Sequence, residues 1–387
     1  MRILSRLGRS SGPGASPATT LAAVVLVLAF VLWGGLFTLR QQREGDAFDI
    51  VRWEIGSLAN KWLFALGAPL RDDPPVEQAL ARYFALADRS GEQAGRLENV
   101  VEAAIEGRLH DVLRTEAISS AVSLPGPLAV WPPVDLELAR APLVLVVSPR
   151  SRIERLRTDL LRPDLTLDGA LAIEASTETA DRSRSALVVG AGGLAVYPAV
   201  VSNRGSYASI VDTAAHEWTH HYLAFHPLGF GVPGGDRLTI NETVADIVAE
   251  ELAALVIERF GDPTADGETP LAAPSAMPVL DRDRMLRELR LEVEGLLVAH
   301  EVERAERRME EVRLELEHAG ILIRRINQAY FAWIGSYAAR PDAVDPLGAQ
   351  LRELRRRAGS LAGFLEAVRG ARSRADLERS LADAGGR

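Results

Sequence analysis

Two short motifs constrain the fold more than any other feature of this 387-residue chain. The first is HEWTH at His216–His220, in which two histidines are four residues apart. Residues at that spacing share one face of an α-helix, so both imidazoles can reach one ion if the segment is helical. Downstream, Glu242 and Asp246 repeat the four-residue spacing. The spacing predicts two helices, each with its pair of polar side chains on one face.

Composition narrows the chemistry that such a pair of helices can support. The chain has no cysteine, so a transition metal would have to be bound by histidine and carboxylate side chains. Zinc in catalytic sites takes three protein ligands and one water, and its charge lowers the pKa of that water toward 7. Glu217 follows the first histidine directly and would face this water, whose proton its carboxylate can accept. With seven histidines in the chain, a chance motif of this form has a probability on the order of one in a hundred.

The two motifs together resemble those of the gluzincin peptidases, which are the thermolysin-like and aminopeptidase-like enzymes. The resemblance covers roughly residues 186–260, about a fifth of the chain. It implies a zincin-like fold in which a glutamate about twenty residues past the HExxH completes the metal site. Carried over by position, one zinc ion per chain would be bound by His216, His220 and Glu242.

The same resemblance implies partners for the metal ligands. Asp246 would hydrogen-bond His216, which fixes the tautomer of the imidazole and strengthens it as a ligand. Asn241 would act in a similar way on His220. The 21 residues between the second histidine and the glutamate are slightly more than in the best-known members, and the surplus fits a glycine-rich loop at residues 226–237. The resemblance carries over no substrate class.

Gluzincins bind an extended peptide along an edge strand that precedes the HExxH helix. The matching stretch here is Gly193, Leu194, Ala195 and Val196, followed by Pro198, which cannot donate to a strand ladder and suits an edge. Pairing with an edge strand holds a peptide through its backbone. A purely structural edge strand is the alternative interpretation of this segment.

Peptide hydrolysis also needs a donor for the oxyanion that develops on the scissile carbonyl. In gluzincins this donor is a tyrosine or histidine that lies after the glutamate helix. Tyr330 is the first candidate because it lies in a polar cluster, Asn327-Gln328-Ala329-Tyr330, inside an otherwise apolar stretch. Tyr337 and then His300 are the further candidates. Packed aromatic side chains with satisfied hydroxyls are the alternative for both tyrosines.

Hydrophobic periodicity predicts an α+β fold. Helical patterns fill residues 45–124 as a stalk or a helical layer, and β-branched runs after Pro125 predict a small mixed sheet in a catalytic domain of residues 125–262. Strands are predicted at Trp131–Leu138, Leu143–Val147, Ala170–Ala175 and Ala186–Val201, with a helix at Ser151–Leu161. The motif helices are predicted at Ser209–Phe225 and Thr239–Phe260.

Residues 279–387 are predicted to form a helical lobe. From about Leu291 to Tyr337 an apolar seam recurs, and from Val298 on its members alternate steps of four and three, which is the seam pattern of a coiled coil. The pattern predicts one very long helix or a helical hairpin. The seam could pair within the chain or between chains, so oligomerisation through it is one expectation.

The N-terminal region contains an uncharged run of 22 residues, Ala18–Leu39, about the length that crosses a bilayer as a helix. We expect an uncleaved signal anchor that follows a cytoplasmic leader of residues 1–17, and a cleaved signal peptide is the alternative. Arg2, Arg6 and Arg9 precede the run, and this small excess of positive charge favours a cytoplasmic N-terminus. The expected location is the cell membrane, single-pass, with the catalytic part outside the cytoplasm.

The function best supported by these patterns is a membrane-anchored zinc metallopeptidase that acts on peptide or protein substrates. A net charge of −9 argues against a nucleic-acid partner, because nucleic-acid binders carry a basic face. One alternative is a catalytically inactive zinc-containing scaffold or sensor whose long helix binds a partner. Another is a helical membrane protein in which the motif occurs by chance. The presence of Glu217 favours the enzyme over the scaffold, because an inactive fold has no need of that carboxylate.

Overall fold

A computed structural model describes residues 45–67, 73–118, 129–231, 234–264, 279–341 and 343–385. Over these residues the chain is a mixed α+β protein with twelve helices and two three-stranded sheets. The expected leader and membrane anchor, residues 1–17 and Ala18–Leu39, lie outside the described residues. Within the described part, no helix combines the length and the apolar character needed to cross a bilayer.

Three helices precede the sheets: α1 Ile50–Gly67, α2 Val76–Phe84 and α3 Glu92–Thr115. Apolar residues recur along α3 at steps of three and four, which gives the helix one buried face. That face is part of the main hydrophobic core, through Val101, Ile105, Leu109 and Val112. The same core contains residues from the motif helices and from the C-terminal helices, so α2 and α3 form a layer on the body of the protein.

The six strands are β1 Leu136–Ala139, β2 Leu143–Pro149, β3 Arg157–Leu161, β4 Arg184–Gly190, β5 Gly193–Leu194 and β6 Ala199–Ser202. One sheet has the order β1-β6-β5, in which β1 is parallel and β5 antiparallel to β6. The other has the order β3-β2-β4 and is antiparallel throughout. Strand β5 is therefore an edge strand of the mixed sheet.

Two elements predicted for this region are wrong. Ala170–Ala175, predicted as a strand, lies in helix α4, Leu167–Ala180, which begins where Thr166 Oγ1 accepts a hydrogen bond from Gly169 N–H at 3.2 Å. Ser151–Leu161, predicted as a helix, contains strand β3, which pairs with β2. A short apolar run fits either type of element, and the helix cap in one case and strand pairing in the other decide between them.

The two motif helices are α5 Tyr207–Ala224 and α6 Asp236–Phe260, close to their predicted spans. Helix α5 begins at Ser206, whose side-chain oxygen accepts a hydrogen bond from Ser209 N–H at 3.2 Å. Helix α6 ends at Gly261, whose φ of 76° is a conformation that favours glycine. Small and branched side chains let the two helices pack closely in the main core: Val211, Ala214, Ala215, Val244 and Val248.

Six described helices follow: α7 Val279–Val298, α8 Val302–His318, α9 Gln328–Ile334, α10 Leu347–Ala358, α11 Leu361–Val368 and α12 Arg374–Gly385. A single long helix from about Leu291 to Tyr337 is wrong, because the chain reverses at His300, whose φ is 61°. Helices α7 and α8 instead form a hairpin and share a second hydrophobic core, and pairing of the seam between chains stays a prediction. The seam residues buried in that core are Ala305, Met309, Val312, Leu316 and Ile326.

Candidate metal centre

Helices α5 and α6 bring three potential ligands together. His216 and His220, one turn apart on α5, have Nε2 atoms 3.0 Å apart. Glu242 Oε2 on α6 lies 3.6 Å from His216 Nε2 and 3.5 Å from His220 Nε2. The three side chains are 14–15% exposed, so an ion can reach them from solvent. This triad could hold a metal ion.

The spacing of the three atoms fits a tetrahedral zinc site. Zinc bonds imidazole nitrogen and carboxylate oxygen at roughly 2.0–2.2 Å, which places the corners of a tetrahedron roughly 3.3–3.6 Å apart. The separations within the triad, 3.0, 3.5 and 3.6 Å, are close to that range. Two nitrogen donors and one carboxylate also match the donor types that zinc accepts in the absence of cysteine.

Asp246 supports the first histidine from the other side of its ring. Its Oδ1 lies 3.1 Å from His216 Nδ1, and in the tautomer that carries hydrogen on Nδ1, His216 donates to Asp246 and directs Nε2 at the triad. Burial lowers the pKa of His216, but the Asp246 and Glu242 carboxylates outweigh it and raise that pKa well above its usual value. Burial raises the pKa of Glu242, and the two histidines outweigh it and hold that pKa below its usual range. The protein's own charges therefore favour a cation between α5 and α6.

Glu217 lies against the edge strand. Its side chain is buried, and burial raises the pKa of its carboxyl while His216 and His220 oppose the rise. Gly193 on β5 makes room for this carboxylate, because a Cβ at that position would lie 2.8 Å from Glu217 Cγ and 2.8 Å from Val200 O. The stretch proposed for peptide binding and the proposed base are therefore in direct contact.

His221 has a role that the motif alone did not indicate. It follows His220 directly but faces another way, and its buried Nε2–H donates to Val196 O at 2.8 Å. Burial lowers the pKa of His221 to about 4, so the ring is neutral near pH 7. This hydrogen bond fixes the end of the Gly193–Val196 stretch relative to the HExxH helix.

Tyr337, one of the predicted oxyanion donors, faces the triad. Its ring centroid is 6.2 Å from that of His216, and burial, with a further contribution from Glu242, raises the pKa of its hydroxyl well above the usual value. Thr243, the neighbour of Glu242, accepts a hydrogen bond from Ala338 N–H at 3.0 Å. The helix that carries the glutamate ligand thus also positions the backbone next to Tyr337, a link that sequence analysis did not anticipate.

The other predicted participants occupy different surroundings. Tyr330 packs its ring edge-on against Phe331 at 5.5 Å, between the hairpin core and the core of the sheets. His300 lies in the exposed turn between α7 and α8. Asn241 is buried on α6 next to Glu242, and its action on His220 stays a prediction.

Comparisons of the chain with protein-family models, with curated proteins and with solved structures found no match. They therefore add neither a substrate nor an activity to the geometry. The resemblance to gluzincins rests on the motif residues and on the triad that they form.

Proposed function

We propose that this protein is a zinc-dependent hydrolase of the gluzincin type that cleaves peptide bonds. The observation that carries the proposal is the convergence of His216, His220 and Glu242 within 3.6 Å of one another. Glu217, a carboxylate with no structural duty in the triad, lies beside it and against an edge strand. A purely structural metal site needs ligands but does not need a base next to them.

The residues around the triad supply the proton transfers of peptide hydrolysis. When bound there, zinc supplies a Lewis acid that polarises the scissile carbonyl and lowers the pKa of the attacking water. Glu217 accepts a proton from that water and returns it to the leaving amine nitrogen. Asp246 keeps His216 in the tautomer that the site requires.

For the oxyanion donor we place Tyr337 ahead of Tyr330. The ring of Tyr337 is 6.2 Å from that of His216, whereas Tyr330 packs between two apolar cores. The raised pKa of Tyr337 keeps its hydroxyl protonated, so it can donate a hydrogen bond to the developing negative charge.

The edge strand is the proposed support for the substrate backbone. Among the residues that the structure describes, strand β5 pairs only with β6, so an extended peptide can pair with its other side. Because Glu217 lies against Gly193 of that strand, a peptide bound there would pass directly over the proposed base.

The test is digestion of a mixed peptide library by the purified, zinc-loaded full chain, with Glu217→Gln as the matched control. We expect wild type to cleave and the variant to retain zinc while its rate falls by about 10²- to 10⁴-fold, the usual contribution of a general base. Unchanged activity in the variant would remove Glu217 from the mechanism. Zinc bound by a wild-type protein that cleaves nothing would instead favour the inactive scaffold or sensor.

A further inference from the structure

A row of aromatic rings leads from the metal centre to one arginine. The Tyr337 ring is 6.2 Å from His216, the Trp333 ring is 6.0 Å from Tyr337, and the Arg155 guanidinium lies 5.5 Å from the Trp333 centroid. Trp333, Tyr337 and Arg155 are each only half-buried, so the row borders solvent along its length. Arg155 is on the loop that connects β2 to β3.

Arg155 differs from the neighbouring arginines in the chain. Arg150 pairs with Glu306 at 2.6 Å, Arg157 with Asp159 at 3.1 Å, and Arg152 with Glu154. Among the described residues, Arg155 forms no ion pair and contacts the face of Trp333 instead. An arginine held over an aromatic face keeps its donors free for a planar anion such as a carboxylate.

Arg155 lies at the end of the aromatic row opposite to His216. The charges of Glu242, Asp246 and Glu217 act on Tyr337 together with that of Arg155. Arg155 therefore places a positive charge at the far end of the row, within electrostatic range of the proposed oxyanion donor.

We propose that Arg155, held over Trp333, binds a carboxylate of the substrate and so selects peptides that carry a negative charge near the cleaved bond. This inference rests on the proposed peptidase function. The distance from His216 to Arg155 cannot exceed the total of the three spacings along the row. An extended peptide covers that distance in no more than about five residues. The carboxylate is either the free C-terminus of a short peptide or an acidic side chain within that reach.

The experiment compares matched peptides on the zinc-loaded full chain. In the first pair, one peptide has a free C-terminus and the other has an amidated C-terminus. In the second pair, both peptides are amidated, and one has Glu where the other has Gln, at a position within five residues of the cleaved bond. Each pair is tested on wild type, Arg155→Gln, Arg155→Lys and the control Arg152→Gln. Cleavage is measured as kcat/KM. Peptide binding is measured by calorimetry on a second set of the same four proteins, each of which also carries Glu217→Gln.

We expect the charged member of one pair to be favoured by about 10- to 100-fold in wild type, in line with one charge-assisted hydrogen bond. Arg155→Gln should abolish the preference, Arg155→Lys should keep part of it, and Arg152→Gln should leave it intact. The pair that shows the effect identifies the source of the carboxylate. Zinc content should be equal in all variants.

The two measurements separate this inference from the proposed function. Arg155-dependent binding without cleavage would support the carboxylate site while contradicting the peptidase. Cleavage in which neither pair is discriminated, or discrimination that survives in Arg155→Gln, would overturn the carboxylate site while leaving the peptidase intact. Absence of both cleavage and peptide binding would overturn both.

Discussion

Two charged clusters of this protein are built from similar carboxylates but obtain their cation in different ways. The closed cluster is Lys61, Glu102, Glu106 and Asp135, where α1, α3 and β1 meet. Lys61 Nζ lies 2.5 Å from Glu106 Oε1, 2.6 Å from Asp135 Oδ1 and 3.9 Å from Glu102 Oε2. Burial lowers the pKa of Lys61, but the three carboxylates outweigh it and raise that pKa well above its usual value. The cation of this cluster, the only lysine in the sequence, is part of the chain.

The open cluster, made of His216, His220, Glu242 and Asp246, is suited to a cation from solution. Its ligand atoms are two imidazole nitrogens and one carboxylate oxygen on accessible side chains, at separations that fit a metal. The closed cluster is neutralised by its own lysine as the chain folds, whereas the open cluster would be neutralised by binding a metal ion. Damage to the closed cluster should therefore lower stability, and damage to the open cluster should lower metal content.

The largest expected difference is in bound zinc. His216→Ala or Glu242→Ala should lose nearly all metal because each removes one of three ligands, whereas Lys61→Met should retain it. Lys61→Met should instead lower the free energy of unfolding by about 3–5 kcal/mol, because it leaves buried carboxylates without their cation. Metal analysis and denaturant unfolding measure the two effects. Stoichiometric zinc in both ligand variants, or loss of zinc in a folded Lys61→Met protein, would contradict the comparison.

The next effect concerns the tyrosine that faces the open cluster. Tyr337→Phe should lower kcat by about 10²- to 10³-fold with zinc retained, because it removes one hydrogen-bond donor to the oxyanion. Tyr330→Phe is the matched control and should stay close to wild type, since its ring packs between two apolar cores. Steady-state kinetics on a cleaved peptide distinguish the two. The reverse result would return Tyr330 to the position of first candidate.

The two clusters also differ in how far sequence could predict them. Each half of the open cluster follows from local spacing, because residues four apart share a helix face, and the motif helices form close to the predicted spans. The resemblance to gluzincins, not the spacing, predicted that the two halves meet. The closed cluster has no local signature, because Glu106 on α3 and Asp135 just before β1 lie 45 and 74 residues from Lys61. Only tertiary packing brings them together, and a lone lysine among many acidic residues gave no reason to pair them.

The same limit explains the errors around the open cluster. Tyr330 and Tyr337 were ranked by the polarity of their neighbours in sequence, yet the contact between Thr243 and Ala338 joins segments 95 residues apart. The strand predicted at Ala170–Ala175 failed because its short apolar run carries no periodicity that separates strand from helix. A helix cap at Thr166 decided the second case, and a long-range hydrogen bond decided the first.

A smaller effect tests how closely the open cluster fits the edge strand. Gly193→Ala should lower kcat/KM by about 100-fold with zinc retained, because its Cβ would meet Glu217 Cγ and Val200 O at 2.8 Å and displace the base. Gly192→Ala is the matched control, since its Cβ would find no atom closer than Thr213 Oγ1 at 3.9 Å. Equal activity in the two variants would show that Glu217 does not depend on close contact with β5.

The smallest expected effect concerns Glu54 on α1, a buried carboxylate that forms no ion pair with any residue that the structure describes. Its side chain is 1% exposed, and among those residues neither of its oxygens has a hydrogen-bond partner of normal geometry. Burial raises the pKa of Glu54 to about 7, and the nearby backbone of Tyr197 offsets only part of the rise.

The sign of the pH dependence follows from that raised pKa. The pKa of the Glu54 carboxyl is higher in the folded protein than in the unfolded protein. Below pH 4.5 the carboxyl is protonated in both states and does not lower the free energy of unfolding. As the pH rises from 4.5 to about 7, the free energy of unfolding falls progressively. Glu54→Gln, which cannot ionise, should therefore match wild type near pH 4 and exceed it by on the order of 2 kcal/mol at pH 8. Denaturant unfolding at the two pH values measures the difference in free energy of unfolding between variant and wild type. Lys61→Met is the comparison, because that variant should be less stable than wild type at pH 8. A variant no more stable than wild type at pH 8 would mean that Glu54 finds a compensating cation as the closed cluster does.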